Sequence, residues 1–283
     1  TKTKKNIMGF FREIENLDEI EQFEIEKVAI KDVNDRAIPG VFSVQRTDTA
    51  QHLGIVKKNY RPIQMSEMLD IIDTASQSVG NISHTGWASS RNGSRIVIKS
   101  RLDDEINVDG DVVIPHFYSV IDNSGMGSNK TLPSTQRIAC DNALHLVNVH
   151  GNMYNATHNS TFDEKVSSLV SKITANVDIT KNFTKTVKKL KSQKFTFDQM
   201  VKLAQMLIPV KKDETENRAK KRDKLVGLFS NGLGNVAESK WDALNAVTEY
   251  ETHSGKQSTE KFLRSFAKNT LSHRAHAHLA EFA

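Results

Sequence analysis

His84-Thr85-Gly86-Trp87-Ala88-Ser89-Ser90 and Ser94-Arg95-Ile96-Val97-Ile98-Lys99-Ser100-Arg101 flank the dipeptide Asn92-Gly93. Asn-Gly accommodates the positive φ that a tight hairpin requires, so the spacing predicts two antiparallel strands joined at residues 91–93. Downstream, Val112 to Ile121 is apolar on both alternating faces, which predicts a strand covered on both sides. Pro115 removes one ladder donor there and predicts an edge or a bulge. Thr135 to Cys140 reads as the next strand, and Asp141 offers an N-cap for a short helix through Val147. Upstream, residues 66–79 switch to helical spacing, with Ser66 as cap and Met68, Leu69, Ile72 and Ala75 as the apolar stripe. Phe23 to Ile30 and Val41 to Val44 have strand-like alternation, with Ile38-Pro39-Gly40 as the turn between them.

Beyond residue 160 the pattern becomes helix upon helix. From Phe162 to Gln193 the apolar residues Val166, Leu169, Val170, Ile173, Val177, Phe183, Val187 and Leu190 recur at three or four. Thr196-Phe197-Asp198-Gln199 has capping-box form and opens a helix that must stop near Pro209. Two more helices are expected, Glu238 to His253 ahead of Gly255, and Thr259 to Glu281. The fold expected is therefore α+β: an antiparallel β-sheet with a hairpin and a packed helix in a mixed core domain, 1–160, then an all-helical region, 161–283.

With 283 residues, 37% hydrophobic and 26% charged, the composition is that of a globular protein rather than a disordered chain. One cysteine allows no internal disulfide, no stretch has the layout of a signal peptide, and no window approaches the roughly 20 apolar residues of a membrane span. A cytoplasmic location is expected, and Asn155-Ala156-Thr157 is then no glycan site. Residues 165–224 hold sixteen Lys/Arg against six Asp/Glu, a balance of +10, so the rest of the chain carries −5 of the net +5. Such asymmetry points to a polyanionic partner, or to solvated lysine faces.

Candidate contacts to nucleic acid follow from residue chemistry. Lys130 and Arg137 lie around the loop Ser124-Gly125-Met126-Gly127-Ser128, and Arg91 and Arg95 flank the hairpin turn. Guanidinium groups pair bidentately with phosphate oxygens, and glycines let backbone N–H groups approach them. Tyr60 stands among Lys57, Lys58 and Arg61, and Trp87 lies in the first hairpin strand; aromatics interleaved with cations can stack bases. Lys185, Lys188, Lys189 and Lys191 form the densest cationic patch, joined by Lys220, Lys221 and Arg222 further along. Against these stand ordinary structural roles: an ion pair for Arg137, half-buried packing for Tyr60 and Trp87, hydration for the lysines.

Chemistry of other kinds finds less support. Cys140 beside Asp141, with His145 and His150, lacks an identifiable third orienting group. His145, His150 and His158, and again His273, His276 and His278, have no CxxC beside them and do not converge by spacing. Asp103-Asp104-Glu105, Asp109 and Asp111 crowd one turn, where a nuclease metal site competes with a solvated loop. No Gly-Lys-Ser/Thr phosphate loop is present, which disfavours an ATP-driven recombinase.

Gln136-Arg137-Ile138-Ala139-Cys140-Asp141-Asn142-Ala143-Leu144 resembles a block of a phage- and plasmid-encoded family known only as a numbered domain of unknown function. Further matching blocks follow the same order: Arg46-Thr47-Asp48, Leu53-Gly54-Ile55-Val56, Tyr60-Arg61-Pro62-Ile63-Gln64, Gly110-Asp111, Asn123-Ser124-Gly125 and Trp241 to Tyr250. The resemblance implies a phage or mobile-element setting in a host cytoplasm, and no chemistry. The hairpin, strand and helix order is also similar, at the level of architecture, to phage single-strand annealing proteins of the Rad-fifty-two type. The expected function is a non-enzymatic, ATP-independent protein that binds and anneals single-stranded DNA as a ring or filament of identical subunits, without a cofactor and away from membranes. An interaction protein for an acidic host partner, in counter-defence or regulation, is the alternative; a metal-dependent nuclease or hydrolase is the third.

Overall fold

The structure, a computed structural model, describes residues 10–282 apart from 104, 109, 138–141, 145–153, 157–182 and 267–269. The fold is α+β, with antiparallel sheets and helices in the C-terminal part. The larger sheet runs β1(Arg12–Glu13), β5(Ile82–Ser90), β6(Arg95–Leu102), β8(Asp111–Asp122), β9(Asn129–Arg137) and β10(Asn142–Leu144). Two short strands complete it: β7(Ile106–Val108) pairs with β8, and β11(Tyr154–Ala156) pairs with β9. A second sheet consists of β2(Ile25–Lys31), β3(Ala37–Arg46) and β4(His52–Lys57) in that order.

The predicted hairpin is β5–β6. Ser90 pairs with Arg95 across a turn in which Arg91, Asn92 and Gly93 have φ of 49°, 59° and 98°. Period-two alternation then sorts its side chains onto two buried faces. Trp87, Ile96, Ile98, Phe117 and Ile121 face α1(Met65–Val79), which contributes Met68, Leu69, Ile72 and Ala75, and the second sheet, which contributes Ile25, Val44, Leu53 and Val56. Ala88, Val97, Tyr118, Val120 and Leu132 face the other way and are covered by Phe11, Phe262 and Phe266. The expectation of a strand buried on both faces holds for β8.

Five local readings are corrected. The β2–β3 turn is not Ile38-Pro39-Gly40, which lies within β3, but residues 32–36, where Asp32 Oδ1 accepts from the N–H groups of Asn34 (2.8 Å) and Arg36 (2.9 Å). Pro39 is tolerated because β4 pairs with β3 only from Val41 onward, which leaves that edge open. Helix α1 is preceded by Gln64, not capped by Ser66, and Gln64 makes no cap bond. Its amide instead grips β2, accepting from Ile25 N (2.9 Å) and donating to Ile25 O (3.0 Å). Pro115 is not on an edge strand: β8 is interior, and Pro115 falls in the gap between its pairing with β7, which ends at Val113, and with β6, which begins at His116. Asn142 to Leu144 form no helix but the strand β10, which pairs Leu144 with Thr135 and Asn142 with Arg137. The long final helix is two, α6(Thr259–Ser265) and α7(Leu271–Leu279).

The helical layer comprises α2 over residues 183–192, α3(Phe197–Leu207), α4(Glu216–Asn231), α5(Lys240–His253), α6 and α7. The rest of the predicted segment from Phe162 lies outside the described residues. The Thr196 capping box is formed as expected, with Gln199 N–H donating to Thr196 Oγ1 and Thr196 N–H to Gln199 Oε1. Helix α5 is buried continuously from Lys240 to Thr248 and forms the axis of this layer. Val108 and Val113 of the sheet join its core, and Trp241 Nε1 donates to Asp111 Oδ2 at 2.6 Å.

Candidate nucleic-acid interface

The hairpin places its two arginines at one end of the sheet, where they meet acidic partners. Arg95 lies in β6 opposite Asp122 of β8, and its Nε donates to Asp122 Oδ2 at 2.9 Å while Nη1 reaches Glu260 Oε2 at 3.1 Å. Arg91 Nε lies 3.5 Å from Glu260 Oε1. Asp122 also accepts from Ser124 N–H (2.9 Å) and from the Ser124 hydroxyl, and so fixes the start of the glycine loop. Gly127 is required there because a Cβ would stand 2.2 Å from Asp122 Oδ2.

The second sheet presents Lys57 and Lys58 as exposed side chains at the end of β4. Arg61 pairs with Glu67 at 3.1 Å. Tyr60 is half-buried against the core of α1, and burial, with Asp122 nearby, pushes its phenol well above the usual range. Trp87 is 3% exposed and Arg12 lies over its ring at 5.0 Å, so it has no face open to a base. Lys130 is half-buried in β9, and Arg137 ends the same strand. The hairpin arginines, the Lys57-Lys58 end and the lysine helices belong to separate elements.

The lysine run is where exposed charge collects. Lys185, Lys188 and Lys189 are exposed on α2 at i, i+3 and i+4, one face of the helix, while Phe183, Val187 and Leu190 are buried on the other. Lys202, Lys211, Lys212, Lys220, Lys221 and Lys224 are exposed on α3, α4 and the turn between them. Arg222 is committed to Glu214, and Arg218 donates to the Pro209 carbonyl at 2.9 Å. Arg222, expected to join the cationic patch, instead caps the α3–α4 turn with Glu214.

Cys140, His145, His150, His158, Asp104 and Asp109 lie outside the described residues. Among the described residues no group of His, Cys, Asp and Glu could hold a metal ion. The acidic run disperses: Asp103 accepts from Ser83 Oγ (3.1 Å), Glu105 pairs with Arg101 (3.1 Å), and Asp111 holds Trp241. His278 Nδ1 lies 3.2 Å from Glu281. A cleft of about 980 Å³ that the sequence did not announce opens beside Asp111. Its lining holds Lys191 and Lys194 with Asp111, Glu238 and Asp242, and Lys191 Nζ lies 3.7 Å from Asp111 Oδ2, so the charges nearly balance and favour no anion. No helix among the described residues is long and apolar enough to cross a membrane.

The blocks on which the family resemblance rests meet in space. A Cβ on Gly54 would lie 1.9 Å from the Ser124 carbonyl oxygen, and one on Gly125 would lie 2.3 Å from Val56 Cγ1, so the second sheet is pressed onto the glycine loop. Gly110-Asp111 meets Trp241-Asp242 through the indole bond. Arg46 pairs with Asp48 at 2.7 Å and lies over the Phe23 ring at 4.0 Å, and its hydrogen bond holds the Asp48 carboxyl down at about 2. No curated protein and no solved structure matches the chain. The profile of the family described as Domain of unknown function (DUF932) matches residues 52–279, and the chain belongs to that family.

Proposed function

We propose that the protein binds single-stranded DNA through the lysine face of α2 to α4 and promotes annealing without ATP, in the cytoplasm of a phage host, as a ring or filament of identical subunits. One observation carries the reading: residues 183–231 hold thirteen Lys/Arg against five Asp/Glu, and most of those lysines are exposed. Cations so placed neutralise phosphates while leaving bases free to sample a complementary strand. The reading needs no cofactor and no catalytic group. Oligo-dT binding followed by fluorescence anisotropy is expected to weaken with salt at a slope of about −0.7 per phosphate neutralised. Charge reversal at Lys185, Lys188 and Lys189 is expected to lower affinity at least about tenfold and to flatten that slope. Strand pairing should accelerate without ATP, with rings or filaments in negative stain. Salt-independent binding, or none, removes the proposal.

A second reading is favoured by a separate observation. Phe197, Val210, Leu233 and Val236 are exposed on the same helical layer. Apolar anchors rimmed by lysines suit an acidic protein partner. Recovery of one stoichiometric host protein after nuclease treatment, lost on Phe197→Ser, would favour it over DNA.

A further inference from the structure

We propose that Ser90, Arg91 and Arg95 form a phosphate-binding site at the hairpin end, filled in this conformation by the carboxylate of Glu260. The proposal rests on the single-stranded-DNA reading and adds to it a second contact region, regulated by one side chain. Three donors from one hairpin converge on that carboxylate: Ser90 Oγ at 3.0 Å, Arg95 Nη1 at 3.1 Å and Arg91 Nε at 3.5 Å. The acceptor comes from α6, about 170 residues away in sequence. Two guanidinium groups and a hydroxyl around one oxyanion make the donor set that binds a phosphate diester. Glu260 supplies the same charge and two of the same acceptor positions.

Charge explains why the site is closed as it stands. Arg91 and Arg95 are balanced by Asp122 and Glu260, which leaves the cluster neutral. If the Glu260 side chain turns away, two arginines face Asp122 alone, and one phosphate restores neutrality. Exposure decides which acid yields. Asp122 is 6% exposed and holds Ser124, whereas Glu260 is 26% exposed and its partner Arg91 is 55% exposed, so the Glu260 carboxylate has a path to water. Helix α6 need not leave the sheet, because Phe262 and Phe266 anchor it against Tyr118. Exchange of one side chain for a phosphate is therefore sufficient.

The test compares oligo-dT binding by the full chain and its variants across salt. Glu260→Gln keeps shape and removes the competing charge, so affinity is expected to rise about fivefold with a steeper salt slope. Adding Arg91→Ala to Glu260→Gln is expected to cancel that gain. In the unaltered protein, the Arg91 Nε–H resonance is expected to move as oligo-dT is added. Unchanged or weaker binding by Glu260→Gln, while charge reversal on α2 still lowers affinity, overturns this site and leaves the lysine-face reading standing. Absence of binding in every form overturns both. An Arg91 resonance unmoved at saturating DNA also overturns the site, and does so even if Glu260→Gln fails to fold.

Discussion

His116 is neutral in the folded protein because it is buried in the larger sheet. Burial, with Lys99 and Arg101 adding to it, pushes its imidazole down to about 3, against the opposing hydrogen bond with the Ile114 carbonyl at 3.0 Å. The unfolded chain takes up that proton near pH 6.5. A folded value below the unfolded one means that the unfolded state binds more protons between the two, so stability is complete above about pH 6.5 and falls as the pH drops toward 3. His84 shifts in the same direction, also through burial. The denaturant midpoint is expected to decline from pH 6.5 to 4, and His116→Gln is expected to remove part of that slope; an unchanged slope counts against the assignment. Gly54 acts through space rather than charge. Gly54→Ala places a methyl group 1.9 Å from the Ser124 carbonyl oxygen, which no rotamer relieves, and is expected to cost about 3 kcal/mol in a thermal melt. Nothing near Gly54 in the sequence announces this, since its partner lies seventy residues on. Trp87 shows the same limit: Thr85 and Ser89, the residues two positions away on its own face of the strand, are polar, yet the strand pairing turns it into the core.

Elements were legible where the signal was local. The Asn92-Gly93 hairpin and the Thr196 capping box each sit within four residues, and both formed. Thr196→Ala is expected to cost about 1 kcal/mol, and Thr196→Gly only a few tenths, read as shifts in the denaturant midpoint. No shift of the midpoint with either substitution would mean that the box contributes little. Where partners are distant, the reading failed for identifiable reasons. Asp141 has good cap chemistry, but Asn142 to Leu144 gain more by completing a ladder with Thr135 to Arg137. Helix α4 went unrecognised because its first half, Glu216 to Asp223, offers no large apolar side chain; only Leu225 and Phe229 are fully buried. Its amphipathic signal is confined to its second half. The hairpin arginines do flank the turn, but β5 and β6 are interior strands rather than the sheet edge expected of them, and their partner Glu260 could not be found without the fold.

At the scale of the whole molecule, sheet and helices share cores rather than standing apart. Val108 and Val113 pack among the helices, Phe262 and Phe266 pack on the sheet, and Trp241 is bonded to Asp111. The chain has two tryptophans, one in each large core: Trp87 between α1 and the sheets, Trp241 within the helical layer. Trp241→Phe leaves Trp87 as the sole reporter of the first core, and Trp87→Phe leaves Trp241 for the second. In urea, each single-tryptophan variant should show one fluorescence transition coincident with its own loss of helical circular dichroism, because unfolding either core exposes surface buried by the other. Trp241→Phe also leaves Asp111 without its indole donor, so its common midpoint should lie below that of Trp87→Phe if the inter-layer bond matters. Two separated transitions in either variant would instead mark residues 183–282 as an independently folding unit, and the bond from Trp241 to Asp111 as a surface contact between two such units.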